Sequence, residues 1–169
     1  MPLVRTSLRR KRPPAAPALA GWREYVNLPA LGIGPLIAKL DTGARSAALH
    51  AENMAIYDRD GESRIRFDVP DGDGGGVRSC DLRLVHERLV KNTGGRKELR
   101  QVVETEIEMG GIVWQAQITL TDRTDMGVPM LLGRATIKEH FLVHPARSFV
   151  VSRAVRRERV RRKKSGETP

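Results

Sequence analysis

The sequence predicts an all-β domain: a mostly antiparallel, closed or nearly closed barrel with one short helix. Three observations carry this. Residues 103–121 alternate with a period of two on both sides of Gly110-Gly111, so that Val103, Thr105, Ile107 and Met109 share one face while Glu104, Glu106 and Glu108 share the other. Clusters of Gly, Pro, Asn and Asp recur between short apolar runs, at residues 29–35, 58–61, 70–76 and 92–95. The apolar residues are mostly Val, Leu and Ile, which suit a pleated, half-buried surface.

In chain order, residues 22–28 read as a first strand stopped by Pro29, and Gly32, Gly34 and Pro35 as a turn. Residues 36–40 are a short apolar strand that ends at Asp41-Thr42-Gly43. Residues 47–57 fit a strand or a broken helical turn. Asp58-Arg59-Asp60-Gly61 is a hairpin turn, with residues 63–69 returning. Residues 70–76 are a Gly/Asp loop, residues 78–90 are strand-like and residues 92–95 turn again. The hairpin about Gly110-Gly111 follows, its second arm alternating Ile112, Trp114, Ala116, Ile118 and Leu120 inward. The short helix falls within residues 133–141, and residues 141–143 and 148–151 are expected to close the barrel as strands.

The net charge of +10 sits at the ends. Residues 1–20 hold Arg5, Arg9, Arg10, Lys11 and Arg12 and no acid, and residues 153–169 hold eight bases against two acids, which leaves residues 21–152 at −1. The domain is therefore expected over 21–152, with a disordered basic leader before it and a disordered basic tail after it. Such tails attract polyanions, so nucleic acid is a partner through the tails if at all. No apolar run approaches a membrane span. The apolar stretch before Ala18-Leu19-Ala20 is too short for a secretory signal, and a cytoplasmic protein is expected. The single Cys80 excludes an intramolecular disulfide and a cysteine-based metal site.

Asp41 places a carboxylate at the end of a buried strand, where acid–base chemistry can be held rigidly. Gly43 is expected to permit a backbone path that a side chain would block, and Thr42 to hold the loop with its hydroxyl. A second stretch, Pro129-Met130-Leu131-Leu132-Gly133-Arg134, lies far downstream. Aspartic proteolysis needs two carboxylates about one water, sharing a proton because close like charges do not both ionise. The chain has one Asp-Thr-Gly, so the second is expected from a second chain in a two-fold homodimer. Ala44 lacks the hydroxyl that would favour an ionised Asp41, which predicts a proton held to higher pH. No phosphate-binding Gly-Lys-Ser/Thr is present, so no nucleotide cofactor is expected. His140 and His144 are four apart, but no His-Glu-x-x-His exists and Pro145 follows, so no metal is expected either.

Trp22-Arg23-Glu24, Lys39-Leu40-Asp41-Thr42-Gly43-Ala44-Arg45-Ser46, Ala48-Leu49-His50-Ala51, Gly94-Gly95-Arg96-Lys97-Glu98, Met130-Leu131-Leu132-Gly133-Arg134 and Pro145-Ala146-Arg147-Ser148 resemble the RimB group of retropepsin-like aspartic endopeptidases, long catalogued as ATP-dependent zinc proteases. The resemblance covers residues 21–151. It implies a single-lobe aspartic-protease barrel in which the segment around Gly133 passes beside the catalytic loop, with Asp41, Thr42 and Gly43 as the catalytic triplet. It implies a substrate-binding role for Ala44, Arg45, Ser46, His50 and Arg134, with His50 orienting the active-site loop. Because Arg45 and Arg134 closely follow the two motifs, each is expected either to bond backbone or a structural carboxylate or to receive a substrate carboxylate as a bidentate partner. It further implies an acidic, glutamate-rich substrate, such as the tails that RimK-type ATP-grasp ligases add to a small-subunit ribosomal protein. Ala47 stands where the family usually has Ser, and His144 where Asp is frequent. The rival expectation is a non-catalytic binding module of the same fold that docks on ribosome or RNA through its basic tails.

Overall fold

A computed structural model describes residues 16–71, 76–91 and 94–166. The first strands are β1 (Ala18–Gly21), β2 (Arg23–Leu28), β3 (Ile33–Asp41) and β4 (Ala47–His50). The chain then leaves the barrel for β5 (Glu52–Arg59), β6 (Glu62–Pro70) and β7 (Val77–Arg83), and returns through β8 (His86–Lys91), β9 (Lys97–Met109) and β10 (Ile112–Thr121). Strand β11 (Met130–Gly133), helix α1 (Arg134–Ile137), strand β12 (Phe141–His144) and helix α2 (Arg153–Ser165) complete it. Strands β10, β4, β11, β3, β2 and β9 pair in that order, and β9 pairs back to β10, which closes a six-stranded barrel with β8 hung on its rim.

The hairpin at residues 103–121 forms as its pattern predicts. Gly110 and Gly111 both have positive φ, the conformation a two-residue hairpin loop requires. Val103, Thr105, Ile107 and Met109 are all buried, and Ile118 and Leu120 meet them from the second arm. Leu28, Leu36, Leu40, Leu49, Met130 and Leu132 fill the rest of the barrel. Most pairings are antiparallel, but β10 runs parallel to β4, and β11 runs parallel to β3. Parallel neighbours need a long crossover. The excursion through β5–β9 supplies one, and β11 then inserts between β4 and β3. Periodicity reports which face a strand buries and not which strand it lies beside, so this interleaving leaves no local signal.

Three expectations at the ends are corrected. The leader does not run to residue 20: Ala18–Gly21 is a strand, paired in parallel with β12, while residues 1–15 lie outside the described residues. Residues 148–151 form no strand; they bend, and the amides of Val150 and Val151 turn to the Glu24 carboxylate. The tail is a helix over Arg153–Ser165, ended by Gly166 in the left-handed conformation. It buries no residue, so it has no apolar stripe to read. Arg, Lys and Glu are nevertheless good helix formers, and Arg162, Lys163 and Lys164 in the last turn complement the helix dipole. Arg156 and Arg159 lie over the rings of Phe149 and Tyr25 at 5.1 and 4.9 Å, which seats the helix on the barrel.

Candidate active site

Strand β3 is braced on both sides, antiparallel to β2 and parallel to β11, and Asp41 is its last residue, in register with Gly133. The loop after it folds back on the carboxylate. Asp41 Oδ1 accepts from the amides of Gly43 at 2.9 Å and Ala44 at 3.2 Å. Gly43 does not need a positive φ; a Cβ there would sit 3.2 Å from Asp41 Oδ1, so its role is to let the amide approach closely. Oδ2 faces the Lys39 ammonium at 3.3 Å, and the Asp41 side chain stays 27% exposed. Burial pushes the Asp41 carboxyl up, but the Gly43 amide, the Lys39 hydrogen bond and charge, and the Ala44 amide together hold it below the ordinary carboxylate value. Within one chain this reverses the expectation drawn from Ala44: its main chain supplies a donor that its side chain lacks.

The segment around Gly133 locks this loop in place. Arg134 Nη1 donates to Thr42 O at 2.8 Å, and the amides of Arg134 and Ala135 donate to Ala44 O and Arg45 O at 2.9 and 3.0 Å. Gly133 is obligatory on steric grounds, because a Cβ there would lie 2.4 Å from Ser46 O and 2.6 Å from Arg45 C. Arg134 therefore braces the loop with one guanidinium nitrogen, although the group is exposed. Arg45 is exposed and lines a cavity of about 410 Å³ with Ser46, Arg88, Trp114, Thr136 and His140. Ser46 Oγ accepts from Arg88 Nη1 at 3.1 Å, which ties the loop to β8. The exposed Thr42 hydroxyl has no partner among the described residues.

His50 closes β4 at the far end of the site, 7% exposed. The Arg123 amide donates to its Nδ1 at 2.9 Å, so the proton sits on Nε2, which donates to Glu52 Oε1 at 3.0 Å. Both ring nitrogens are thus committed, Nδ1 to loop 122–129, which leads into β11, and Nε2 to the start of β5. His140 stacks near Trp114, with ring centroids 4.7 Å apart, and His144 Nδ1 accepts from the Ala146 amide. Among the described residues no three His, Cys, Asp or Glu side chains are grouped so as to hold a metal ion.

The sequence pattern alone assigns no role to Lys39, although a residue two before Asp41 on a strand shares its face. Nor does it single out Arg123. That residue is 7% exposed, and its Nε donates to Val128 O at 3.3 Å. No local pattern marks an arginine as buried.

A single-lobe barrel, a strand ending in Asp-Thr-Gly and a Leu-Leu-Gly strand pressed against it in parallel define a retropepsin-like protein. The chain belongs to the family described as retropepsin-like aspartic endopeptidase RimB, whose model matches residues 19–154. It is 35% identical over 133 residues to a protein of Shewanella pealeana named probable alpha-L-glutamate ligase, covering 78% of this chain and 29% of that one. A protein of the same name from Desulfotalea psychrophila is 34% identical with the same coverage. The chain thus spans about three tenths of the length of these curated relatives. It is also similar to the crystal structure of Lpg0085, a protein of unknown function from Legionella pneumophila, with a TM-score of 0.70 and 34% identity over 81% of this chain and all of the other. Among the described residues no helix is long and apolar enough to cross a membrane.

Proposed function

We propose that this chain is a cytoplasmic aspartic endopeptidase that acts as a homodimer on acidic, glutamate-rich peptide, such as the glutamate tail of a modified small-subunit ribosomal protein. The observation that carries the reading is Asp41 itself. Its carboxylate is fixed through one oxygen by two amides, while the other oxygen faces only Lys39 and solvent. In the dimer two such carboxylates face one water. The ionised one takes a proton from the water, and the protonated one polarises the scissile carbonyl. Each carboxyl is held low within its own chain, so close approach of the second charge is what makes one of them keep a proton at working pH. The exposed, unbonded Thr42 hydroxyl supports a second copy meeting the first at this loop. The substrate class is supported by the relatives named probable alpha-L-glutamate ligase, a name that concerns glutamate.

The test pairs mass spectrometry of a polyglutamate-tailed peptide with sedimentation of the protein. Wild type is expected to sediment as a dimer and release fragments, and Asp41→Asn to remain a folded dimer with activity lowered at least about 1,000-fold. Full cleavage by a folded Asp41→Asn protein refutes the aspartic mechanism. The second reading, a binding module for ribosome or RNA, is favoured by α2, an exposed helix in which Glu158 is the sole acid. It predicts tight RNA binding by a protein that cleaves nothing.

A further inference from the structure

We infer that Arg123, seated beside Arg100, is the receptor for a substrate side-chain carboxylate and sets the acidic specificity of the cleft. The inference rests on the endopeptidase reading for the identity of the ligand, a peptide glutamate. The geometry stands apart from it.

Arg123 opens the loop that links β10 to β11. Its main chain is pinned by the His50 ring, and its Nε is spent on Val128 O. Among the described residues no carboxylate oxygen comes within ion-pair distance of its guanidinium, and its two terminal nitrogens make no hydrogen bond. Asp122, next to it, is committed elsewhere: Oδ1 accepts from the Thr124 amide at 2.9 Å and the Thr124 hydroxyl at 2.6 Å.

A second cation lies across the ladder. The β9–β10 register pairs Thr119 with Val102, and running it on two residues brings Thr121, two before Arg123, opposite Arg100. The contact of Thr121 Oγ1 with Glu98 Oε1 at 3.1 Å agrees with that extension. The Arg100 side chain is 12% exposed, and it consumes Glu98 through two bonds, at 2.9 and 3.0 Å. Glu98 thus pairs with Arg100, and the 7% exposed Arg123 has no carboxylate within ion-pair distance among the described residues.

A buried, uncompensated charge is costly, and proteins keep one where a ligand supplies the counter-ion. The planar fork of arginine matches a carboxylate through two parallel bonds. The location suits a peptide: loop 122–129 runs directly into β11, which lies beside Asp41, and Arg123 feels the charges of both Arg100 and Asp41. Burial and the neighbouring Arg100 ease the Arg123 proton off, while Asp41 holds it on. A glutamate side chain on the guanidinium would do what Asp41 does from further away. Of the arginines nearest the motifs in sequence, Arg45 lines the cavity shared with Trp114 and His140, and Arg134 is bonded to Thr42 O.

The experiment measures binding of two peptides of equal length, one of glutamate and one of glutamine, to full-length Asp41→Asn protein by calorimetry. Salt is held at 150 mM to screen the basic ends. Asp41→Asn is expected to prefer the glutamate peptide. Adding Arg123→Met is expected to lower that preference by about 30-fold, in the range lost with a charged hydrogen-bond pair, with little change for the glutamine peptide. Arg123→Lys is expected to recover part of it, since the charge returns without the fork. Melting curves confirm folding, and should Arg123→Met not fold, Arg123→Lys and Arg100→Gln carry the comparison. An unchanged glutamate-to-glutamine ratio, or an equal loss for both peptides, overturns the inference. If wild type cleaves neither peptide while the ratio still depends on Arg123, the receptor stands and the endopeptidase reading falls.

Discussion

Glu24 and Asp41 are both carboxylates gripped by main-chain amides on neighbouring strands of the same barrel, and they differ in what is left over. Glu24 Oε1 accepts from the amides of Gly21 and Val150 at 2.7 Å and of Val151 at 3.2 Å. Its Oε2 accepts from the Ser152 amide at 3.0 Å and from the Ser152 hydroxyl. It is wholly buried and saturated. Asp41 has two amides on one oxygen, and its second oxygen reaches solvent with a half-exposed lysine nearby. A saturated carboxylate fastens segments together and has no lone pair for a substrate. An unsaturated one at the end of a braced strand can move a proton. The same chemical group is a rivet at Glu24 and is left open for chemistry at Asp41, according to how many donors the fold brings to it.

Glu24→Gln and Asp41→Asn test that contrast most sharply, because each replaces a carboxylate by its near isostere. In Glu24→Gln an amide NH2 group faces donors, and at least one buried N–H or O–H loses its acceptor. The expected cost is about 3 kcal/mol, read as a melting temperature lower by roughly 6–12 °C. Asp41→Asn should melt within a few degrees of wild type while losing activity. Thermal melts and turnover measured on both proteins separate the roles. Equal melting shifts would mean that the two carboxylates are not different in kind.

Gly133→Ala probes how firmly the reactive carboxylate is held. The added Cβ would lie 2.4 Å from Ser46 O, and the contact is with backbone, so the loop must move. We expect kcat/KM to fall about 100-fold, the usual effect of an ångström-scale misplacement. The stability loss should be smaller than for Glu24→Gln, about 1–3 kcal/mol, because the displaced loop lies at the surface. Activity near that of wild type would show that loop position is not limiting.

How far this was legible differs between the two carboxylates. Asp41 announces itself: an apolar strand, a turn triplet and a distant Leu-Leu-Gly are all local words, and the barrel follows from period-two arms around Gly110-Gly111. Glu24 reads as an ordinary polar residue of a strand, since its partners at 150–152 are more than 120 residues away. The helical tail was missed for a related reason: it packs through arginines over Tyr25 and Phe149 and has no apolar stripe of its own. Arg123 escaped notice because burial of a cation depends on a closed barrel. Local pattern reports faces and turns. Charge compensation depends on who arrives from elsewhere in the chain.

The smallest expected effect is on the pH profile, through Lys39. Burial alone would raise the Asp41 carboxyl; Lys39 is one of the groups that outweigh it, together with the Gly43 and Ala44 amides. In Lys39→Met its hydrogen bond and charge are gone, while both amides remain. The Asp41 pKa should therefore move up. The pair in the proposed dimer needs one ionised member, so the acidic limb of kcat/KM should shift to higher pH, with the plateau nearly unchanged. Stability follows the same sign. A carboxyl held below its unfolded value of about 3.8 stabilises the fold above that pH and ceases to do so as pH falls through the lowered value. Lys39→Met should thus cost a little stability at neutral pH and none in strong acid. The amount should be under about 1 kcal/mol, because the lysine is 46% exposed and solvent screens the pair. High salt should make wild type resemble the variant, since it weakens the ammonium and leaves the amides alone. Profiles recorded at low and high salt decide the matter. A limb that stays put, or moves toward acid, would mean that the amides alone set the charge of Asp41 and that its open oxygen is tuned by nothing within the chain.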